Sequence, residues 1–212
     1  HNLASNEIKA KHMGVVPRPT ACVGCHDPHG GGPGLSKTTT HPPFAERLCD
    51  NCHTTQAQNG VPGLQAAPPD LCFACHQDLP ATFGSGTRHP PVAAGKCLAC
   101  HNPHTSNQPR LLRAAPGEVC GACHTAVAGE ARAEGGHRPV AEGRCLSCHF
   151  PHNGPRARLL RNEPGNLCRS CHTQIAAQID TGPVAHPPAA AGECLTCHRP
   201  HGAGDAGRPL LV

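Results

Sequence analysis

The chain has 212 residues, 18 Lys and Arg against 14 Asp and Glu, no Trp or Tyr, and only four Phe (Phe44, Phe73, Phe83 and Phe150). With 24 Gly and 24 Pro it carries too little apolar surface to offset the entropy of ordering its backbone, which excludes an ordinary hydrophobic core. No stretch reaches the length of a membrane-spanning helix.

The first segment, residues 1–40, contains His1, His12 and the run Cys22-Val23-Gly24-Cys25-His26-Asp27-Pro28-His29. A tandem repeat follows. It opens on His-x-Pro-x-Ala at His41, His89, His137 and His186, in steps of 48, 48 and 49 residues. Eight residues after each opening histidine comes a first Cys-x-x-Cys-His: Cys49/Cys52/His53, Cys97/Cys100/His101, Cys145/Cys148/His149 and Cys194/Cys197/His198. Twenty-three residues after the first three comes a second: Cys72/Cys75/His76, Cys120/Cys123/His124 and Cys168/Cys171/His172. With the copy at Cys22 there are eight such motifs, and they use all 16 cysteines.

Cys-x-x-Cys-His is the attachment signature of c-type haem, in which two thiols form thioethers to the porphyrin and the histidine ligates its iron. Zinc knuckles or a disulfide framework would also use paired cysteines. Neither explains a histidine directly after every second cysteine. The sequence therefore predicts eight covalently attached haem c groups, with His26, His53, His76, His101, His124, His149, His172 and His198 as proximal ligands. The porphyrins would be the core and the polypeptide their wrapper. Counting 16 propionates and the ferric centres, the net charge becomes about −4 oxidised and about −12 reduced, so the formal +4 is no footprint of nucleic-acid binding. Arg and Lys are expected to pair with propionates. Covalent haem attachment takes place outside the cytoplasm, so the chain reads as a mature one whose signal peptide has been removed. Its first residue is not Cys, so a lipid anchor is not suggested.

The expected organisation is a mono-haem segment (1–40), three di-haem repeats (41–88, 89–136 and 137–185) and a half repeat with one haem (186–212), forming one continuous multihaem domain. Secondary structure is expected to be sparse: irregular coil with short helices and little or no β-sheet. Pro116 and Pro164 mark helix starts at the second motifs, with helix continuing through 126–132 and 175–178. Pro28, Pro103, Pro151 and Pro200 cut the first motifs short. Residues 30–34 and 203–207 read as coil.

Ten histidines remain once the proximal eight are assigned. Four open the repeats (His41, His89, His137 and His186). Four stand three residues after a proximal histidine (His29, His104, His152 and His201). Together they match eight irons, with His12 and His1 as alternates. Met13 is the only methionine, so bis-histidine ligation throughout is expected. A histidine three residues after a proximal one lies on that haem's proximal side and cannot reach its distal face. It should serve a different haem, which implies closely packed neighbours. In the first repeat Gln56 stands where this extra histidine would be, so one ligand must come from elsewhere: His29, His12 or a second subunit. The half repeat has two distal-type histidines, His186 and His201, for one local haem. Such a surplus and deficit suit a head-to-tail polymer with donated ligands, though a chain that settles its ligands internally fits as well.

These motifs, over nearly all of residues 12–201, resemble the doubled Cys-x-x-Cys-His families of multihaem cytochromes. The resemblance implies periplasmic electron carriers, outer-membrane conduit components or subunits of extracellular cytochrome filaments. Electron transfer without bond-making chemistry, to other redox proteins or extracellular acceptors, is the expected role, and no catalytic residues are assigned. A multihaem reductase would need an open coordination site, often marked by Lys in place of the motif histidine. All eight motifs here end in His. A linear repeat with unfinished ends favours the filament, and hence an extracellular location, with a periplasmic shuttle as the alternative.

Overall fold

The computed structural model describes residues 2–14, 16, 26, 37–58, 61–82, 86–133, 135–184, 186–202 and 210. Cys22, Cys25, His29 and His1, and both expected coil linkers at 30–34 and 203–207, lie outside them. The chain is mostly coil, with short helices and three antiparallel strand pairs among the described residues. It forms two compact units: His1–Pro80 with Ala94–Ala114, and Ala81–Ala93 with Ala115–Val212.

In the first unit, Ser5 caps the N-terminal helix Asn6–Lys11 by accepting from the Ile8 amide at 3.3 Å. Helix Pro42–Ala45 follows His41, and a 3-10 turn at Cys49–Asn51 leads into the hairpin of His53–Gln58 with Val61–Leu64. Farther on, Thr39–Thr40 pairs with Thr105–Ser106. In the second unit Thr87–Arg88 pairs with Asn153–Gly154 in the same way. Here the second motifs sit on helices Pro116–Gly121 and Pro164–Arg169, continued by Thr125–Arg132 and Thr173–Thr181. The prolines stand at the first helical positions, where their missing N–H has no partner to lose. The longer helix runs three residues past the expected stretch, and the Gly182 amide closes it on Gln178 O at 3.0 Å.

No hydrophobic side chain is buried among the described residues. The most enclosed side chains are polar: Thr105 is 0% exposed, its hydroxyl donating to Thr39 O at 3.0 Å, and Ser106 donates to Leu112 O. The protein part thus supplies hydrogen-bonded clasps and leaves apolar burial to something else. Among the described residues no helix is long and apolar enough to cross a membrane.

Candidate haem sites

Each first motif folds as a tight 3-10 turn between its two cysteines: Cys49–Asn51, Cys97–Ala99, Cys145–Ser147 and Cys194–Thr196. The chain then returns to fix the motif histidine. His101 Nδ1 lies 3.0 Å from Arg110 O, His149 Nδ1 2.8 Å from Arg158 O, His53 Nδ1 3.1 Å from Gly63 O and His198 Nδ1 3.2 Å from Leu210 O. Donation from Nδ1 to a carbonyl leaves Nε2 as the lone-pair nitrogen, which is how proteins orient metal-ligating imidazoles. In two returns this requires consecutive residues in the left-handed region, Arg110-Leu111 (φ 56° and 58°) and Arg158-Leu159 (φ 55° and 59°). Each costs roughly 1 kcal/mol. The twist also turns Leu111 O onto the Asn102 amide at 2.7 Å and Leu159 O onto the Phe150 amide at 2.8 Å.

In every described motif the second cysteine closes a turn on the first. The amides of Cys52, Cys100, Cys148 and Cys197 donate to the carbonyls of Cys49, Cys97, Cys145 and Cys194 at 3.1, 3.2, 3.2 and 3.3 Å. In the second motifs Cys75, Cys123 and Cys171 donate to Cys72, Cys120 and Cys168 at 3.3, 3.2 and 3.2 Å. The two thiols of a motif are thereby held one turn apart, as attachment to one porphyrin edge requires. Cys75, Cys123, Cys171 and Cys197 are exposed, and Cys100, like Cys52 and Cys148, is only half-buried. The physical reason is their place in the chain. Each stands where a turn or short helix ends, so its own element covers one side of it.

Each second motif packs against the first motif of the next repeat through a contact that leaves no room for a side chain. A Cβ on Gly165 would fall 2.8 Å from Gly192 Cα, and one on Gly117 2.8 Å from Gly143 Cα. In the first unit a Cβ on Gly95 would lie 2.6 Å from Pro69 Cδ. Gly95, Gly143 and Gly192 also have φ of 66°, 69° and 75°. Beside this contact two pairs of thiols come close, Cys72 with Cys97 and Cys168 with Cys194. Burial, and next the neighbouring thiol, pushes Cys72 and Cys168 up from the ordinary cysteine range. None of the 14 described cysteines is in a disulfide. No cluster of three or more His, Cys, Asp or Glu side chains converges as a metal site among the described residues. We expect Gly165→Ala to force the two motifs apart and to lower stability by about 2 kcal/mol, as overpacking does. Denaturant unfolding of the haem-loaded protein checks this, and an unchanged midpoint would show the contact to be compliant.

The histidine rings form facing pairs. His41 faces His76 at 6.1 Å between ring centres, His89 faces His124 at 6.0 Å and His137 faces His172 at 6.1 Å, with ring planes within 14–19°. His53 faces His104 at 5.8 Å and His149 faces His201 at 6.0 Å, with planes 31° and 36° apart. Metal–nitrogen bonds of about 2 Å to each imidazole put two ring centres roughly 6 Å apart across one iron. The pairs therefore fit six-coordinate haem, with porphyrin between the rings. Their outer nitrogens are held as those of ligands are: His89 Nδ1 lies 3.1 Å from Pro151 O and His137 Nδ1 2.9 Å from Pro200 O. Burial, then the facing imidazole, holds His104 and His201 below the ordinary imidazole range. For His41 and His89 burial is again the largest cause.

His104 faces His53 and not the His101 three residues before it; His201 likewise faces His149 and not His198. The ring pairs bear on two further expectations. His53 is faced by His104, so the ligand missing at Gln56 belongs to another haem. In the repeat's register position 56 would serve His26, and there the facing ring is His12, at 6.2 Å and 66°. Second, His201 is no surplus, because it is engaged by His149 of the preceding repeat. Only His186 remains as an extra at that end, and among the described residues neither it nor His198 has a facing ring. His101 and His152 fall in different units. Within its own unit His101 is fixed by Arg110, and the His152 carbonyl accepts from the His89 amide at 2.9 Å.

A chain with no buried hydrophobic side chain among its described residues, with repeated Cys-x-x-Cys-His sites and with imidazoles paired at an iron's span, defines a multihaem c-type cytochrome. The doubled CXXCH motif model matches residues 41–81, 89–129, 137–177 and 186–209, and the chain belongs to this family, whose paired motifs bind haem covalently and serve electron transfer. No curated protein matches the sequence.

Proposed function

We propose that the protein is an octahaem cytochrome, with one haem c at each of its eight motifs, working as a subunit of an extracellular electron-conducting filament. The carrying observation is the contact between consecutive motifs at their cysteines. Cys72 lies beside Cys97 in one unit, where Gly95 packs on Pro69; in the other Cys168 lies beside Cys194, where Gly165 packs on Gly192. Thioethers join the porphyrin edge, so adjoining cysteines bring successive porphyrins edge to edge in sequence order. The exposed second cysteines, Cys75, Cys123, Cys171 and Cys197, are in this reading the anchors that the porphyrins themselves cover. The haem irons supply the redox chemistry by cycling between ferric and ferrous. The polypeptide fixes spacing, supplies histidines to both faces and keeps the sites unreactive, with no catalytic residue. The organisation is one mono-haem segment (1–40), three di-haem repeats and a half repeat (186–212).

The filament is supported by the unmatched histidines. His186 opens its helix with φ −62° and ψ 121°, nearly the values of His137 (−64° and 122°), which faces a second-motif histidine. His198 is oriented through Nδ1 like the other first-motif histidines. Each is prepared for a partner that another copy can bring, joined head to tail, and electrons would leave to other redox proteins or extracellular acceptors. Electron microscopy of the native haem-loaded protein is the test. Uniform filaments with a short axial repeat are expected; discrete single-chain particles would replace this reading with that of a periplasmic shuttle or conduit piece.

A further inference from the structure

Given haem attachment at three first motifs, we propose that one side chain at each tunes the reduction potential of the haem held there. Gln65 acts on the Cys49–Cys52 haem, Arg113 on that of Cys97–Cys100 and Arg161 on that of Cys145–Cys148. The Cys49–Cys52 iron is then the most reducing of the three.

The three residues hold one place in the repeat, 12 positions after His53, His101 and His149. Backbone and side chain both bind the motif. Their amides donate to the carbonyls of Cys52, Cys100 and Cys148, each at 2.9 Å. Their side chains reach back to the carbonyl that follows the first cysteine. Gln65 Nε2 lies 3.1 Å from Asp50 O, Arg113 Nη1 3.0 Å from Leu98 O and Arg161 Nε 2.6 Å from Leu146 O. Each side chain is thereby fixed against the stretch between the two thioether-forming cysteines, next to the porphyrin edge that they attach. Arg161 is held from a second side by the Phe150 ring, 4.6 Å from its guanidinium carbon. The hydrogen bond is common to all three sites and the charge is not. Gln65 brings none, whereas each arginine brings a permanent positive charge.

The flanking positions deepen the contrast. Leu48, Lys96 and Arg144 precede the first cysteines, and Asp50, Leu98 and Leu146 follow them. The first of these motifs therefore has a carboxylate and no cation beside its cysteine, and the second has Lys96 besides Arg113. Farther out, Arg47 stands next to Glu46. At the third, Arg144 is offset by Glu142 at 2.8 Å, which leaves Arg161. Among the described residues neither Arg113 nor Arg161 is ion-paired with a carboxylate. One electron turns ferric into ferrous iron and removes a positive charge, so a nearby fixed cation favours the reduced state and a carboxylate the oxidised one. All three side chains are exposed. A unit charge on the order of 10 Å from a redox centre at a protein surface changes the ferrous-to-ferric ratio about threefold, and salt screens it.

Spectroelectrochemical titration of the haem-loaded protein at low ionic strength is the test. Arg113→Gln keeps the carbonyl bond, as Gln65 does, and removes the charge. At a fixed potential it should lower the ferrous-to-ferric ratio of one haem about threefold, or about 30 mV for a one-electron couple. Gln65→Arg should raise that of one haem by the same factor. Both shifts should fade in about 1 M salt, which a change of packing would not do. Arg113→Lys, which keeps the charge and loses the planar fork, should leave the titration where it was. An unshifted titration in Gln65→Arg and Arg113→Gln overturns the proposal, as does an equal shift in Arg113→Lys and Arg113→Gln. A variant that loses a haem shows the side chain to serve attachment and overturns it too. Failure of the attachment itself shows beforehand, as a parent protein whose mass carries no haem at these motifs.

Discussion

Produced without its haem groups, the chain is expected to show no cooperative thermal transition and a circular dichroism spectrum of disordered polypeptide. The reason is the absence of any buried hydrophobic side chain among the described residues, where even the most enclosed side chains, Thr105 and Ser106, are polar. Helices of four to nine residues cannot persist alone, and two-residue strand pairs add little. Conformational entropy costs about 1–2 kcal/mol per residue, against an apolar burial that the polypeptide does not itself provide. Expression in a compartment without haem attachment, followed by hydrogen exchange, is the check. Slowly exchanging amides at 116–121 or 164–169 would show that the second-motif helices form before the cofactor arrives.

The second large effect is expected from His104→Ala. His104 stands 5.8 Å from His53 and 4.9 Å from the Phe44 ring, and burial is the first cause of its lowered pKa. Its removal should convert one low-spin iron to high-spin and lower stability by about 2 kcal/mol for the lost half-buried ring, less than a fully buried one would cost. The converted iron should be that of the Cys49–Cys52 motif. The double variant with His53→Ala tests the assignment, because both substitutions act on one iron and the double should disturb no more haems than either single. Two disturbed haems in the double would assign His104 to another centre.

Much of this was legible in the residues. The motif register and the two histidine families are written in fixed spacings, because thioether chemistry and the iron's reach demand fixed residues at fixed offsets. The short helices at Pro116 and Pro164 could be read from the proline itself. Other features depend on chain closure and leave a weaker trace. The exposure of Cys75, Cys123 and Cys197 beside the half-buried Cys100 is one, since the same Cys-x-x-Cys-His is written at all four. The pairing of His53 with His104 joins positions 51 apart in sequence, across a hairpin and several short helices. Sequence could say that His104 must serve another haem, but not which one. His12 was one of several candidates for the place vacated at Gln56, and only a helix that delivers it to His26 singles it out. The hairpin of His53–Gln58 with Val61–Leu64 was missed, although Asn59-Gly60 between the two runs is a hairpin signal. The left-handed Arg110-Leu111 and Arg158-Leu159 had no signal, since neither residue type favours that conformation and only the carbonyl's target explains it.

The clasps run in one direction. The amide of His41 is tied to His104, that of His89 to His152 and that of His137 to His201, always from one repeat forward to the first motif of the next. His53 and His149 are likewise faced by histidines from the repeat that follows. A repeat thus stays half fastened until its successor carries haem and folds. A stalled or prematurely stopped chain would therefore reveal itself by loose imidazoles in its last finished segment while earlier ones were already sealed.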